Sequence, residues 1–558
     1  MKLLKYIWML VLAALLMPAC TDGFEDINKN PNQLSETEPE YLFVSSPINT
    51  MMTYGSDNIF WIFGNYSGQI SMTGGAYPTY GYDGREGNMY RDIYVKMLLP
   101  LIEIERNYGD KPGYENRIAI ARIWKSYIFS QAVALWGPIP YTRACMGDQY
   151  VKFDSEEFIY LDLLKSLKAN ADSLRDNGDK YPDLAEPVFK SDVKRWRQFA
   201  HSLRLKIASR LIDFEDAEVR TAAHQALNEE LDDEGKLLIS SNAQNCFMTF
   251  AKELKYRNPF FVATTETVLS DGVYPVIHEH LMMYLQAYKD PRLGIFCQRI
   301  ENENDDYEYF SRPSTLRIPP DFQLLENPHH AKTKEDYSYV SDYFGGRLAK
   351  FMLISYPEIC CIRAEATYRG IWKAPKKSAK DYYNEAIDAF SNRYDTSISA
   401  AKLKTYKEQP GIKWVDAGET PLPVDTVGRS SEFYDYLGIS TCYIDGESAD
   451  ENYKRIVVQH WMSLFFQGID SWTLLRRTQL LQLSPVWYPG DDYGSNNGKE
   501  WAYLPQRLIY PMSEMAINPK ETDAAIQMVG GSNSLHRKLK FAKPVVEFEE
   551  YPNGIRFK

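Results

Sequence analysis

The stretch PEICCIRAEATYRGIWKAPKKSAKDYYNEAIDAF, residues 357–390, reads as two short helices folded back on one another. In its first half Cys361, Ala364, Tyr368 and Ile371 recur at the spacing that gathers side chains on one helical face. In its second half Ala379, Tyr383, Ala386, Ile387 and Phe390 do the same. Small alanines let two helices approach closely while a tyrosine fills the gap beside them. The spacing therefore predicts an antiparallel hairpin of the tetratricopeptide type. No regular repeat of that unit runs through the chain, so such hairpins are few and interrupted.

Outward from this pair the same period returns, and the fold class it predicts is mainly α. In YENRIAIARIWKSYIFSQAVALWGPIP (114–140) Ile120, Trp124, Tyr127, Ile128 and Leu135 share a face, and Gly137 with Pro138 ends the helix. In VKRWRQFAHSLRLKIASRL (193–211) Trp196, Phe199, Leu203, Ile207 and Leu211 form one stripe. Ser448 and Glu451 have capping-box spacing, and the single helix predicted behind them carries Val457, Trp461, Leu464, Phe465 and Trp472 on one side. Between the helices lie Gly/Pro/Tyr-rich stretches at 53–90, 301–346, 403–447 and 484–505. Irregular segments this long are usually functional or disordered, and their aromatic content argues against disorder.

The composition agrees. Of 558 residues 14% are aromatic, with 40 Tyr and 11 Trp, which is well above ordinary usage. A net charge of −12 with no basic cluster argues against a nucleic-acid partner. The start, MKLLKYIWMLVLAALLMPAC, places Lys2 and Lys5 before an apolar run too short to span a bilayer, as an export signal does. Cys20 sits where a lipoprotein cysteine would sit, with Met17 and Pro18 standing where Leu and Ala or Ser are usual. The expected division is a signal peptide at 1–19, a lipidated cysteine and tether at 20–45, and one domain at 46–558. Cys145, Cys246, Cys297, Cys360, Cys361 and Cys442 show no C-x-x-C spacing and read as small buried hydrophobes.

Several stretches together resemble the SusD/RagB family of nutrient-binding lipoproteins. WRQFAHSLRLKIASR (196–210) is similar to the family's second-helix signature, and LWGPIPYTRA (135–144) to its helix-ending turn. EICCIRAEATYRGIW with YYNEAIDAF resembles its helix pair. VVQHWMSLFFQGIDSWTLLRRT (457–478) resembles its Gln-x-Trp helix, and RLIYPMSEMAIN (507–518) its Tyr-Pro strip. His201 stands where the family usually has Asn, and Gln479 where Gly is usual. The resemblance implies tetratricopeptide-like hairpins on one side of the fold and irregular ligand-binding loops on the other. It also implies an outer-membrane, cell-surface location and a SusC-like TonB-dependent barrel as partner, with oligosaccharides or peptides as ligands.

In that family ligand contacts come from aromatic residues in the loop before the first hairpin helix and in later insertions. Here these are Trp61, Tyr66, Tyr77, Tyr80 and Tyr82, then Tyr307 and Tyr309, then Trp487, Tyr488 and Tyr493. In TGGAYPTYGYDG (73–84) the glycines permit turns but cannot bury rings, so a stacking platform is the reading. No catalytic motif or cofactor fingerprint is present, and the competing reading is an all-helical glycan-active hydrolase with an (α/α) toroid. Glu365, between Arg363 and Arg369, reads as a structural ion pair. Arg476 and Arg477 read as structural charges at a helix C-terminus, and Trp461 and Trp472 as core. HEH at 278–280 would set its histidines on opposite sides of a strand or about 200° apart on a helix, poor geometry for a metal, and HH at 329–330 lacks an acidic neighbour. NENDD (302–306) has calcium-type oxygens but reads as a solvated loop.

Overall fold

The apolar period is realised as helix. The computed structural model describes residues 37–55, 62–72, 85–232, 237–250, 257–262, 275–298, 338–393, 398–419, 451–481, 483, 486–487, 501–502, 504–545, 548–551 and 554–557. The chain runs through α1 (Pro39–Gly55), α2 (Phe63–Tyr66), β1 (Ile70–Met72) and a rod formed by Arg85–Asp92, a π-wound Ile93–Leu98 and Leu99–Tyr108. Four long helices follow: α3 (Glu115–Trp136), α4 (Glu156–Ser173), α5 (Val193–Arg210) and α6 (Ala217–Asp232). Next come β2 (Cys246–Thr249), β3 (Pro275–Ile277), α7 (Glu279–Ala287), α8 (Asp342–Gly345) and β4 (Lys350–Ile354). The hairpin α9 (Tyr356–Tyr368) and α10 (Ala379–Ser391) precedes α11 (Glu451–Ser463), α12 (Gly468–Thr478), β5 (Val486–Trp487) and β6 (Trp501–Ala502). Strands pair antiparallel: β1 with β3, β2 with β4, β5 with β6.

The central helix, α3, is buried almost all round rather than along the one face expected. Phe129, Val133 and Trp136 bury the side away from the Ile120–Trp124–Ile128 stripe, and Ala121, Ser126, Ser130, Ala132 and Ala134 among them are small enough to admit close neighbours. It packs on α4, α4 on α5 and α5 on α6. Across the α3–α5 seam Trp124 meets Trp196 edge-on at 6.3 Å and Phe199 at 6.1 Å between ring centroids. The helix stops at Gly137, φ 83°, where a Cβ would lie 2.7 Å from Leu539 Cδ2, so only glycine fits. Side-chain caps start its neighbours: Asp192 Oδ1 accepts from Lys194 N and Arg195 N at 3.0 and 3.2 Å, and Ser155 Oγ from Phe158 N at 3.3 Å.

The 357–390 hairpin forms as predicted. Ser355 and Ser378 each open a helix with a capping box. The Tyr356 hydroxyl at the start of α9 bonds Glu385 in the middle of α10, while Trp372 beyond the end of α9 meets Tyr382 near the start of α10 at 5.7 Å. The two helices therefore run antiparallel, with Cys360, Cys361 and Ala386 packed between them. Cys246 and Cys297 are also buried, whereas Cys145 is half-buried; Cys442 and Ser448 lie outside the described residues.

Two expectations change. The single helix predicted behind Ser448 is broken into α11 and α12, with Phe466 at φ 67° in the gap. Helix α12 starts at Gly468, where a Cβ would stand 2.6 Å from Phe63 Cβ, so α2 packs against its first turn too closely for any side chain there. The fold also begins earlier than expected. Helix α1 opens at Pro39, inside the segment assigned to the tether, and Glu40 pairs with Arg117 at 2.6 Å.

Charges bind the helices from inside. Lys206 on α5 reaches Glu358 on α9 at 2.8 Å and Asp470 on α12 at 2.7 Å, with Lys206 and Glu358 buried and Asp470 partly so. Arg477 on α12 donates two bonds of 2.6 Å to the Glu365 carboxylate on α9, which also accepts from the Tyr453 hydroxyl of α11 at 2.7 Å. Glu365 is thus a structural ion pair as predicted, but its main partner comes from another helix. Arg476 is structural too: its guanidinium lies 3.5 Å from the Trp472 ring centroid and donates to the Ala134 and Gln506 carbonyls at 2.9 and 3.0 Å. Trp461 and Trp472 are core, as expected.

Candidate functional site

Two of the aromatic-rich stretches, 73–84 and 299–337, start from one place. In the β1–β3 pair Ile70 faces Ile277, Ser71 faces Val276 and Met72 faces Pro275. Val276 bridges to Tyr339 and Cys297 to Val340, with Gln298 N donating to the Tyr339 carbonyl at 2.8 Å and Ile277 N to the Ser338 carbonyl at 3.2 Å. The chain therefore leaves for 73–84, returns from 263–274, leaves for 299–337 and returns from it, all at one small ribbon. A fourth stretch, 488–500, is closed at its base by Trp487 facing Trp501. Nearby Leu483 rests against Gly68, φ 67°, so tightly that a Cβ there would lie 2.5 Å from Leu483 Cδ2.

The core fixes this ribbon. Trp461 Nε1 donates to the Ser67 carbonyl and Gln69 Nε2 to the Trp461 carbonyl, both at 2.7 Å, and His278 N donates to the Gln69 carbonyl at 3.0 Å. His278 lies outside the first turn of α7 and caps it, its Nδ1 accepting from His280 N at 3.1 Å. The two rings consequently stack at 5.2 Å, with 12° between their planes, rather than pointing apart as expected. Burial drives both rings to the neutral form, His278 well below the usual range and His280 down to about 4. Among the described residues no group of three His, Cys, Asp or Glu is placed to hold a metal.

Beside the ribbon opens a cleft of about 530 Å³, within the range of small-ligand sites. Its rings include Phe247 on β2, Phe261, Tyr343 on α8 and Phe466 at the α11–α12 break, and Tyr343 is 42% exposed. Lys350 Nζ stands 4.4 Å above the Phe247 ring centroid. Asn258 Nδ2 donates to the Gly346 carbonyl at 2.9 Å, holding the segment before 263–274 against the segment after 299–337. Roots and cleft are thus one region.

Of the predicted ligand residues, Tyr66 is described in full, and it is core: 1% exposed, with its ring centroid 5.2 Å from that of Trp472 and 6.3 Å from that of Phe63. It sits inside the short helix α2 rather than on a loop, so the face meant for a ligand is occupied. Trp487 is placed by its backbone in β5. Trp61, Tyr77, Tyr80, Tyr82, Tyr307, Tyr309, Tyr488 and Tyr493 lie outside the described residues, as do Cys20, NENDD and His329–His330. Sequence reasoning missed Phe247, Phe261, Tyr343, Lys350 and Phe466. The one available signal was Tyr343, at the end of a predicted insertion.

Carboxylate chemistry finds no footing at Glu365. Burial pushes its carboxyl up, but the Arg477 guanidinium overrides this and holds it at about 2, too acidic to donate a proton near neutrality.

A sequence profile of the family described as "Starch-binding associating with outer membrane" (SusD-like) matches residues 31–511. No curated protein's sequence matches closely enough to count as a relative. Among solved structures, a chitin-binding protein is 21% identical, with a TM-score of 0.68 over 90% of this chain and 99% of its own. A SusD homologue from Bacteroides thetaiotaomicron is 18% identical, with a TM-score of 0.69 over 91% of this chain and 99% of its own. A chitin-binding SusD homologue from Flavobacterium johnsoniae is 17% identical, with a TM-score of 0.68 over 90% and 97%. At these identities the likeness speaks for the fold.

Proposed function

The chain belongs to the SusD-like family, and from that membership we propose that it is a cell-surface lipoprotein that captures oligosaccharides and passes them to a SusC-like TonB-dependent outer-membrane transporter. Members of the family are binding proteins, not enzymes, and the hydrolase reading falls with that. One observation carries the binding reading: the aromatic-rich 299–337 leaves and returns, and 73–84 leaves, at one ribbon near an aromatic cleft of ligand size. Rings offer apolar faces to pyranose rings, and hydroxyls and amides at the rim supply hydrogen bonds. Two structural neighbours are named for chitin binding, which makes N-acetylglucosamine oligomers the first ligands to try. The lipid anchor is assigned to Cys20, the tether to the residues between it and α1, and the α9–α10 hairpin is read as tetratricopeptide-like.

Calorimetry of the purified protein against chito-, malto- and xylo-oligosaccharides and a peptide library tests the reading. Saturable binding to one glycan class, with no reducing ends released on incubation, is the expected result. Peptide binding alone would redirect the ligand assignment, and binding to nothing in the panel would overturn it.

A further inference from the structure

Beneath the cleft lies a second, smaller chamber of about 30 Å³, and Phe466 and Met352 line both spaces. Its other walls include Tyr54 of α1, Gln131 of α3, Gln467 at the helix break and Asp470 of α12. Four buried polar atoms on these walls have no hydrogen-bond partner: Tyr54 Oη, Gln131 Oε1, and both Oε1 and Nε2 of Gln467. Tyr54, Gln131 and Gln467 are only 4, 1 and 6% exposed, so bulk water does not satisfy them. A buried polar atom left unpaired is costly, so orphaned atoms on three side chains around one space imply an occupant.

The chemistry of the set identifies the occupant. Two amide oxygens accept, one amide nitrogen donates and the tyrosine hydroxyl does either. No charge is left over: Asp470 is spent on Lys206 at 2.7 Å and Arg210 at 3.4 Å, and also accepts from Gln131 Nε2 at 3.3 Å. Burial, and after it the charge of Asp470, holds the Tyr54 hydroxyl protonated. A mixed, neutral set of donors and acceptors suits a group that is itself donor and acceptor, and the volume matches one or two water molecules or a single hydroxyl-bearing carbon.

We propose that this chamber is an inner subsite of the cleft that takes a neutral hydroxyl group, held by ordered water until the hydroxyl-bearing end of a ligand displaces it. The proposal rests on reading the cleft as the binding site. Access is through the shared wall, where the Met352 thioether is flexible and Phe466 belongs to an interrupted helix.

The test is a crystal structure of the protein at a resolution that shows waters, before and after soaking in glycerol, a neutral polyol. An ordered oxygen bonded to at least two of Tyr54, Gln131 and Gln467, replaced by a glycerol hydroxyl after soaking, is the expected result. A chamber without an ordered oxygen would overturn the proposal, as would a water that glycerol does not displace. Gln467→Leu supplies the second arm: glycerol is expected to disappear from the chamber while the melting temperature holds or rises, since an orphaned amide is removed. Retained glycerol in that variant would equally refute the assignment. No glycan is needed, so a blank oligosaccharide panel would sink the proposed function while leaving this result standing.

Discussion

Replacing Arg477 by methionine tests the claim that ion pairs inside the helices hold this fold together. The Arg477 fork satisfies both Glu365 oxygens at 2.6 Å, and without it the buried carboxylate keeps the Tyr453 hydroxyl at 2.7 Å and Arg369 at 3.6 Å. The size of the loss follows from the carboxyl itself. Its pKa falls from 4.5 to about 2 in the fold, and at about 1.4 kcal/mol per unit this amounts to roughly 3 kcal/mol of stability at neutral pH. Breaking a buried pair from one side costs about 3–5 kcal/mol, in agreement. Because the folded value is depressed, the contribution is complete above the unfolded value near 4.5 and disappears as pH falls through about 2. The gap between wild type and Arg477→Met should therefore be about 3 kcal/mol at pH 7 and narrow steadily between pH 5 and pH 3, followed by urea unfolding with tryptophan fluorescence. A gap under about 1 kcal/mol, or one that stays constant across that range, would refute the reasoning.

Gln479 sits at φ 53°, ψ 23°, in the left-handed region, where side chains cost about 1–2 kcal/mol and glycine costs none; Gln479→Gly should raise the melting temperature, with a net gain of about 0.5–1 kcal/mol after glycine's entropy cost. A fall would mean that the Gln479 amide bond to the Arg476 carbonyl outweighs the backbone cost. His278, His280 and His460 are buried neutral, His460 down to about 3, so the unfolded chain binds protons first and stability should fall as pH drops from about 6.5 toward 4, by up to about 1.4 kcal/mol per pH unit for each ring. A flat profile in denaturation experiments over that window contradicts their burial. Tyr80→Ala and Tyr82→Ala should weaken glycan binding by about 1–3 kcal/mol in calorimetry with little change in melting temperature, whereas Tyr66→Ala should lower the melting temperature first; the reverse pattern would exchange their roles. Cys20→Ala should abolish incorporation of a fatty-acid analogue in cells, and continued labelling would remove the anchor assignment.

What was legible in the sequence was local. The α9–α10 hairpin announces itself because its caps and alanines lie within a few residues of the contacts they make. The break between α11 and α12 does not, because Phe465 and Phe466 continue the apolar run, and the close approach of Phe63 to Gly468 comes from some four hundred residues earlier in the chain. Arg476 and Arg477 read as structural charges at a helix end, but nothing local says that they, or Lys206, are buried; that depends on partners far away in the chain. The cleft was hidden for the same reason, since Phe247, Tyr343, Lys350 and Phe466 come from four separate elements. Tyr66 misled because four residues of helix between irregular stretches carry no period.

The narrow ribbon of Ile70–Met72 and Pro275–Ile277 also decides what can vary. Its grip on the molecule runs through main-chain bonds, the indole of Trp461 and the side-chain amide of Gln69, none of which depends on what the chain does after Met72 or Gln298. The 299–337 insertion, both of whose ends are stitched at the ribbon, can therefore lengthen, shorten or be swapped between relatives without repacking a helix. A chimera cut at Gln298 and Ser338 is the natural unit for moving a recognition preference from one scaffold to another.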